Sequence, residues 1–208
     1  MTDLKAIARD LYKAAQSPTS WLLSAERLRD AAEVILKHEV QFEIPYFQAH
    51  AVAEQEAVAA AYADGNNAGV AEIKATPPNY PAAQLLYAYA IENVLKGLII
   101  TAKPLLIGGR TLNNALKSHN LIKLAKEADF TVLLQEEPVL KALSELSVWA
   151  GRYPVAQHRR EQIGKPNSDE LMDYGSRNPV MRLFFERARK ELENKLAEQR
   201  ANHANSNP

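Results

Sequence analysis

Charged and imidazole side chains along the middle of the chain could together handle a phosphate group. Glu92 and Lys96 are four residues apart, His119 follows, and five residues separate Arg152 from His158. An imidazole can transfer a proton near neutral pH, and a guanidinium can stabilise the charge that develops on phosphoryl oxygens. These residue types could carry acid–base chemistry on a phosphate ester, for which Arg152 and His158 are the candidate catalytic pair.

Simpler interpretations of the same residues stay open. Arg152 could cap the carbonyl groups of a helix end, with His158 in a solvated loop. Glu92 and Lys96 could form an ordinary salt bridge on a helix surface. His119 could be a first-turn residue of a helix, although it could also donate to an anion there.

Positive charge is concentrated around the proposed catalytic pair. The stretch from Arg152 to Lys165 contains Arg152, Arg159, Arg160 and Lys165 against Glu161 alone, a balance of plus three. The whole chain has 25 Lys and Arg against 25 Asp and Glu, so a global positive field does not attract nucleic acid. A polyanion must therefore bind locally, and we expect Arg159 and Arg160 to contribute.

The elements that must position these residues are helices. Apolar residues recur at intervals of three and four, and no stretch alternates apolar and polar residues as a half-buried strand does. The sequence predicts an all-α fold in which residues 1–75 form an N-terminal helical arm, residues 76–200 form a helical bundle and residues 201–208 form a disordered tail. The arm has three predicted helices, at 3–16, from Trp21 to beyond Ile35, and at 46–63.

The second of these helices carries a heptad seam. Trp21, Ala25, Leu28, Ala32 and Ile35 alternate spacings of four and three, a pattern that requires another helix against it. One hypothesis is that this seam is the interface of a structural dimer.

Pro81 is expected to open the most apolar helix of the chain, which predicts a central position in the bundle. Further helices are predicted at 119–128, with Ser118 as its N-cap, at 138–150, with Gly151 as its C-cap, and from Pro179 onward. Because the central helix is so apolar, its polar members Glu92 and Lys96 require an explanation.

Four short motifs occur in an order that resembles a known family. They are Ala90-Ile91-Glu92-Asn93-Val94-Leu95-Lys96-Gly97-Leu98, then Ser118-His119-Asn120-Leu121, Leu143-Ser144-Glu145-Leu146 and Trp149-Ala150-Gly151-Arg152-Tyr153-Pro154. This order resembles the HEPN (higher eukaryote and prokaryote nucleotide-binding) family of helical RNA-associated proteins. The resemblance implies a HEPN-like bundle. From the motifs and the local positive charge we expect a substrate-binding site with Glu92, Lys96, His119, Asn120, Tyr153, Arg159 and Arg160.

The resemblance also implies two alternative functions. Ribonuclease members have an Arg followed closely by a His, as Arg152 and His158 are, and would cleave RNA without metal at a two-fold dimer that combines two such pairs. The chain would then be an endoribonuclease of toxin or defence type, with an antitoxin or other partner protein. Tyr153-Pro154 stands where catalytic members have a small polar residue, which favours a non-catalytic module that binds RNA, a nucleotide or a partner protein.

Composition limits the remaining classes. The chain has no cysteine, so it has no disulfide framework or thiolate zinc site, which fits the cytoplasm. No two His residues have metal-ligand spacing and no glycine-rich phosphate loop occurs, so we expect neither metal nor cofactor. The most apolar run, Leu98 to Ile107, is interrupted by Lys103 and Pro104, so no membrane segment is expected.

Overall fold

All described elements of the chain are helices, which confirms the all-α class. The computed structural model describes residues 4–64, 72–108, 111–150 and 170–205, with the backbone alone at 64, 149–150, 170–174, 203 and 205, and no strand lies in these ranges. The helices are α1 (Leu4–Ala15), α2 (Pro18–Asp64), α3 (Tyr80–Ala102), α4 (Leu121–Glu127), α5 (Glu137–Glu145) and α6 (Glu170–Asn205). Two short 3-10 turns, Pro104–Leu106 and Asn114–Leu116, precede α4, and a π turn, Leu146–Ala150, follows α5.

Helix α3 is the centre of the core, as its apolar sequence predicts. Sixteen of its 23 residues are buried, and Pro81 lies in its first turn. The core that surrounds it takes residues from α2, α4, α5 and α6, including Ala25, Leu124, Leu140 and Phe184. Burial of these apolar side chains is the main force that holds the helices together.

The heptad seam of α2 packs inside its own chain. Ala25 and Ala32 are fully buried, while Trp21, Leu28 and Ile35 pack against the same core. The seam therefore has its partner helix within the chain, and the hypothesis that it forms a dimer interface is wrong. Residues of the predicted arm thus contribute to the same core as α3.

Two predicted helices of the arm are one helix in the structure. Helix α2 runs for 47 residues through Pro45, where the sequence suggested a break before residue 46. Proline removes one helical hydrogen bond. Contacts on both sides of Pro45 hold the helix: Glu39 accepts a hydrogen bond from the Asn79 amide at 2.7 Å, and Tyr46 is buried.

The last helix begins earlier and ends later than predicted. Pro179 lies inside α6 instead of opening it, and the helix extends to Asn205 within the predicted disordered tail. Packing against α3 explains the continuity, because Gln84 Nε2 donates to Asn178 Oδ1 at 3.0 Å and Met181 is fully buried.

Charged pairs fasten α6 to the other helices. Arg182 donates from Nε and Nη2 to the two carboxylate oxygens of Glu33, at 2.6 and 2.8 Å, and Tyr87 donates to the same carboxylate. Arg187 Nη2 lies 2.7 Å from Glu136, a carboxylate that is almost fully buried. Bidentate geometry of this kind fixes both the distance and the angle between two helices.

Among the described residues, α3 is the one helix long and apolar enough to cross a membrane by length and composition. Of its apolar window, 72% is buried inside the protein, as in a core helix.

Candidate functional site

Glu92 and Lys96 form a buried ion pair on α3. Lys96 Nζ lies 2.5 Å from Glu92 Oε1, and the two side chains are only 4% and 7% exposed. A pair on the surface of a helix would be solvated, so the interpretation as a surface salt bridge is wrong. Ions withdrawn from water this far are stable only if further hydrogen bonds satisfy them.

His119 supplies such a bond to Glu92. Its Nδ1 lies 2.8 Å from Glu92 Oε2, and its side chain is 41% exposed. The Glu92 carboxylate already accepts a hydrogen bond from the Lys96 ammonium group, and a carboxylate has no hydrogen to donate. Nδ1 of His119 therefore carries the hydrogen and donates it. Glu92 thus fixes both the orientation and the tautomer of a partly exposed imidazole, whose second nitrogen, Nε2, is the one that a ligand would meet.

Trp21 completes the surroundings of Lys96. The ammonium group lies 5.6 Å from the centre of the indole ring, within the range of a cation–π interaction. The heptad pattern of α2 predicts that Trp21 turns toward a neighbouring helix, but nothing in the sequence assigned it to Lys96. The charge on Lys96 is therefore balanced by a carboxylate on one side and an aromatic face on another.

Side-chain oxygens accept hydrogen bonds from the backbone amides at the start of α4. Asn120 Oδ1 accepts from the Lys123 amide at 2.8 Å, which makes Asn120 the N-cap, where Ser118 was predicted. Ser118 Oγ accepts from the Asn120 amide, and Ser144 Oγ accepts from the Leu121 amide at 2.9 Å. Asn120 thus has a capping role, and His119 is turned toward Glu92 instead of serving an anion at this helix start.

The chain after α5 passes close to the same part of α3. The Tyr89 hydroxyl donates to the Ser147 carbonyl at 3.3 Å, and the fully buried Ser147 donates to the Ser144 carbonyl at 2.9 Å. Tyr89 lies one helical turn before Glu92. The π turn that leads toward Arg152 is therefore fixed one turn away from the buried ion pair.

Of the nine residues that the sequence assigned to the site, the structure brings three together, and a fourth, Asn120, caps α4. Glu92, Lys96 and His119 are in contact, although they come from α3 and from the segment before α4. The remaining predicted site residues, which are Arg152, Tyr153, His158, Arg159 and Arg160, and the predicted C-cap Gly151, lie outside the described residues.

The described part of the chain contains no group of three or more His, Asp or Glu side chains that could hold a metal ion. What the cluster offers is an oriented imidazole beside a buried ion pair. With its hydrogen on Nδ1, the neutral ring can accept a proton at Nε2. The imidazolium that results can return this proton, or donate a hydrogen bond from Nε2 to a phosphate oxygen.

Comparison of the chain with models of protein families, with curated proteins and with solved structures found no match. The resemblance to the HEPN family stays a prediction based on the four motifs.

Proposed function

We propose that this chain is a HEPN-like RNA-binding module in which His119, oriented by Glu92, contacts the RNA backbone. The observation that carries the proposal is the geometry of the cluster. Two charges are buried on the most apolar of the described helices, and one of them, the Glu92 carboxylate, orients a partly exposed imidazole. A structural core does not need that arrangement, whereas a site that must present one ring nitrogen does.

The sequence beyond the π turn supports a phosphate as the ligand. Arg152, Arg159 and Arg160 follow Ser147 by five to thirteen residues, and Ser147 is held one turn from Glu92. We propose that these arginines supply the affinity for phosphate, because the Glu92–Lys96–His119 cluster brings little net positive charge of its own. Arginine binds phosphate through two parallel hydrogen bonds.

The second candidate function is a metal-independent endoribonuclease. The contact between Glu92 and His119 favours it, since a carboxylate that holds the Nδ1 hydrogen of an imidazole prepares Nε2 for proton transfer. In this version His119 would act together with the predicted pair Arg152 and His158. The two functions differ in turnover, so one experiment separates them.

The test combines RNA binding and RNA cleavage in the presence of EDTA. We expect His119→Ala to weaken binding of a short mixed-sequence RNA, measured by fluorescence anisotropy, by about tenfold, roughly the effect of one charge-assisted hydrogen bond. The double variant Arg159→Ala/Arg160→Ala should weaken binding and reduce the slope of log K against log salt by about 1.4, the value for two phosphate contacts on a single strand.

His38→Ala is the matched control. His38 Nδ1 also lies close to a glutamate, 3.1 Å from Glu39, but its side chain is 63% exposed. It lies 17 residues, about 25 Å, along α2 from Trp21. Its removal should leave RNA binding unchanged. Cleavage that is lost in both His119→Ala and Arg152→Ala would establish the ribonuclease, and binding without cleavage would establish the module. RNA affinity that is absent, or equal in wild type and His119→Ala, would refute both.

A further inference from the structure

The chain around His119 carries positive charge without acidic residues. From residue 93 to residue 126 it has six Lys and Arg and no Asp or Glu. At the average of the whole chain, which has 25 Asp and Glu among 208 residues, about four would fall in this stretch. A local excess of positive charge therefore surrounds His119 in the sequence, although the chain as a whole is neutral.

Two lysines of this stretch, Lys117 and Lys123, flank His119. Lys117 lies two residues before His119, so their Cα atoms are at most about 7.6 Å apart. Lys123 lies in the first turn of α4, where its backbone amide donates to the Asn120 side chain at 2.8 Å. Asn120 directly follows His119, so Lys123 and His119 lie at the same end of α4. Neither lysine forms an ion pair with a carboxylate of the described residues.

Helix α4 turns its lysines away from the core. Leu121 and Leu124 are fully buried on one side of the helix, whereas Lys117 and Lys123 are exposed. Lys126, one turn after Lys123, is exposed on the same side, because residues three apart adjoin on a helix. Positive charge thus follows the exposed face of α4 from its first turn.

The acidic residues nearest to this face lie at its far end or have a cation beside them. Glu127 and Asp129 lie at the end of α4, and Lys103 Nζ is 3.3 Å from Glu127. Glu145 ends α5, which packs against α4, and Lys141 lies one turn before it on the same helix. These carboxylates therefore leave the start of α4 positively charged.

The exposed lysines supply the net positive charge beside His119. The buried pair of Glu92 and Lys96 is neutral as a unit. A nucleic-acid backbone carries one negative charge per phosphate, and ammonium groups that neutralise these charges release counterions. Exposed lysines without a carboxylate partner are suited to that role.

We infer that Lys117 and Lys123 bind the backbone phosphates on either side of the phosphate that His119 contacts. The inference rests on the proposed function for its ligand, a single strand of RNA. It adds contacts on the α4 side of the site to the arginines proposed beyond the π turn. A lysine is a point charge that recognises phosphate and carries no information about the base.

The salt dependence of RNA binding tests the two lysines. Lys117→Gln/Lys123→Gln removes two charges and keeps side chains of similar helix propensity. We expect this double variant to reduce the slope of log K against log salt by about 1.4 for a short single-stranded RNA. At 0.1 M salt this corresponds to roughly 25-fold weaker binding. The unfolding temperature should stay at the wild-type value, because both side chains are exposed.

Lys37→Gln/Lys190→Gln is the matched control. Both lysines are exposed, and the double variant changes the net charge of the chain by the same amount. They lie on α2 and α6, outside the stretch from residue 93 to residue 126. Their replacement should leave the slope unchanged. Equal changes of slope in the two double variants would overturn the proposal, because net charge and not position would then set the affinity.

Protection of the amino groups locates the RNA directly. Reductive methylation followed by mass spectrometry reports which lysines the RNA covers. In the wild type, saturating RNA should suppress methylation of Lys117 and Lys123. Methylation of Lys37 and Lys190 should proceed as it does without RNA.

The results separate this inference from the proposed function. A wild-type slope in Lys117→Gln/Lys123→Gln, or methylation of both lysines that RNA does not slow, would overturn the inference and leave the role of His119 standing. RNA binding that depends on the lysines but is unchanged in His119→Ala would refute the role of His119 and leave the lysines as phosphate contacts. A wild-type chain without RNA affinity would refute both.

Discussion

The Glu92 carboxylate has two partners with different access to water. Lys96 is buried beside it, whereas His119 reaches the surface. Removal of one member of a buried pair leaves the other charge without compensation, which destabilises a protein more than replacement of both members by apolar residues. The two partners are not equivalent, because His119 can still donate to Glu92 when Lys96 is absent.

Single and double substitutions of Glu92 and Lys96 should therefore differ in a fixed order in how much they lower the free energy of unfolding. We expect Glu92→Met to lower the free energy of unfolding by about 3–5 kcal/mol, because it leaves the Lys96 ammonium buried alone. Lys96→Met should cost less than Glu92→Met, because His119 remains beside Glu92. The double variant should be more stable than Glu92→Met alone. Urea denaturation measures all three.

The control is an exposed pair with the same helical spacing. Glu191 and Lys195 lie 3.3 Å apart on α6, and both side chains are at least 40% exposed. Glu191→Met should change stability by no more than about 0.5 kcal/mol. Equal effects at Glu92 and Glu191 would contradict the special role of the buried pair.

Residue spacing predicted part of this site and could not predict the rest. The four-residue interval of Glu92 and Lys96 predicts their contact, because side chains at that spacing adjoin on a helix. Their burial depends on α2, α4 and α6 packing around α3, which an interval does not encode. The order of the motifs suggested that His119 and the ion pair would converge, and they do. The cation–π contact with Trp21 carried no sequence signal.

At the scale of the elements, Gly97 permits the close approach of α3 and α6. A Cβ atom at this position would lie 2.6 Å from Cδ2 of Leu192, which is fully buried. Carbon atoms in contact are normally about 3.5–4.0 Å apart. The missing side chain at Gly97 thus leaves the space that the Leu192 side chain occupies between α3 and α6.

The effect of Gly97→Ala on stability should reverse its sign when Leu192 is replaced by Ala. In the wild type we expect a loss of about 1 kcal/mol, because overpacking outweighs the gain in helix propensity. Leu192→Ala should itself cost about 2–5 kcal/mol, but in that background Gly97→Ala should stabilise the protein. Thermal and urea unfolding of the four proteins in this cycle measure the coupling.

Gly175→Ala is the comparison within α6. A Cβ atom there would have Glu43 Oε1 at 3.7 Å as its nearest neighbour, which is ordinary contact. This substitution should stabilise the protein by about 0.5–1 kcal/mol. If Gly97→Ala behaves in the same way in both backgrounds, the close approach of the two helices is not what requires glycine.

The sequence predicted that these helices are present, but it predicted their first and last residues less well. Apolar periodicity identified the central helix with Pro81 in its first turn, as the structure shows. Helix starts were predicted at residue 46 and at Pro179, yet both positions lie inside long helices, although Pro45 and Pro179 each remove a helical hydrogen bond. Packing against α3 and its preceding segment outweighs that loss, and such packing joins residues distant in the sequence.

At the scale of the whole molecule, the polar contacts between α2 and the rest of the chain predict how stability depends on pH. Hydrogen bonds from Arg182 hold the pKa of Glu33 below its ordinary value, despite partial burial. The Asn79 amide similarly lowers the pKa of Glu39. A lowered carboxyl pKa contributes stability above the ordinary value near 4.5 and loses it as the pH falls through the folded value.

We therefore expect the free energy of unfolding to decrease as the pH falls below about 4.5. Glu33→Gln should make this decrease smaller. Urea unfolding at successive pH values provides the measurement. If the variant loses as much unfolding free energy at acid pH as the wild type, Glu33 is not responsible for the loss.

At high pH, stability depends on pH with the opposite sign. Burial, with Glu43 nearby, raises the pKa of Tyr80 to about 12, and burial with a hydrogen bond to Glu33 raises that of Tyr87 further. A raised pKa contributes stability below the ordinary value of 10 and loses it as the pH rises through the folded value. We expect a loss between about pH 10 and 12 that Tyr80→Phe reduces. A loss unchanged in this variant would contradict the assignment.

The position of α6 in the chain has a consequence for biosynthesis. Leu192 and Phe184 cover α3, and near the end of α3 the Thr101 carbonyl accepts a hydrogen bond from Gln199 of α6 at 3.2 Å. Translation at about 5–20 residues per second delivers Leu192 some 5–18 s after Thr101. For that interval the most apolar helix of the nascent chain lacks one of its covering helices. The apolar surface of α3 that Leu192 and Phe184 cover in the folded protein is therefore the last part of the core that can close during synthesis.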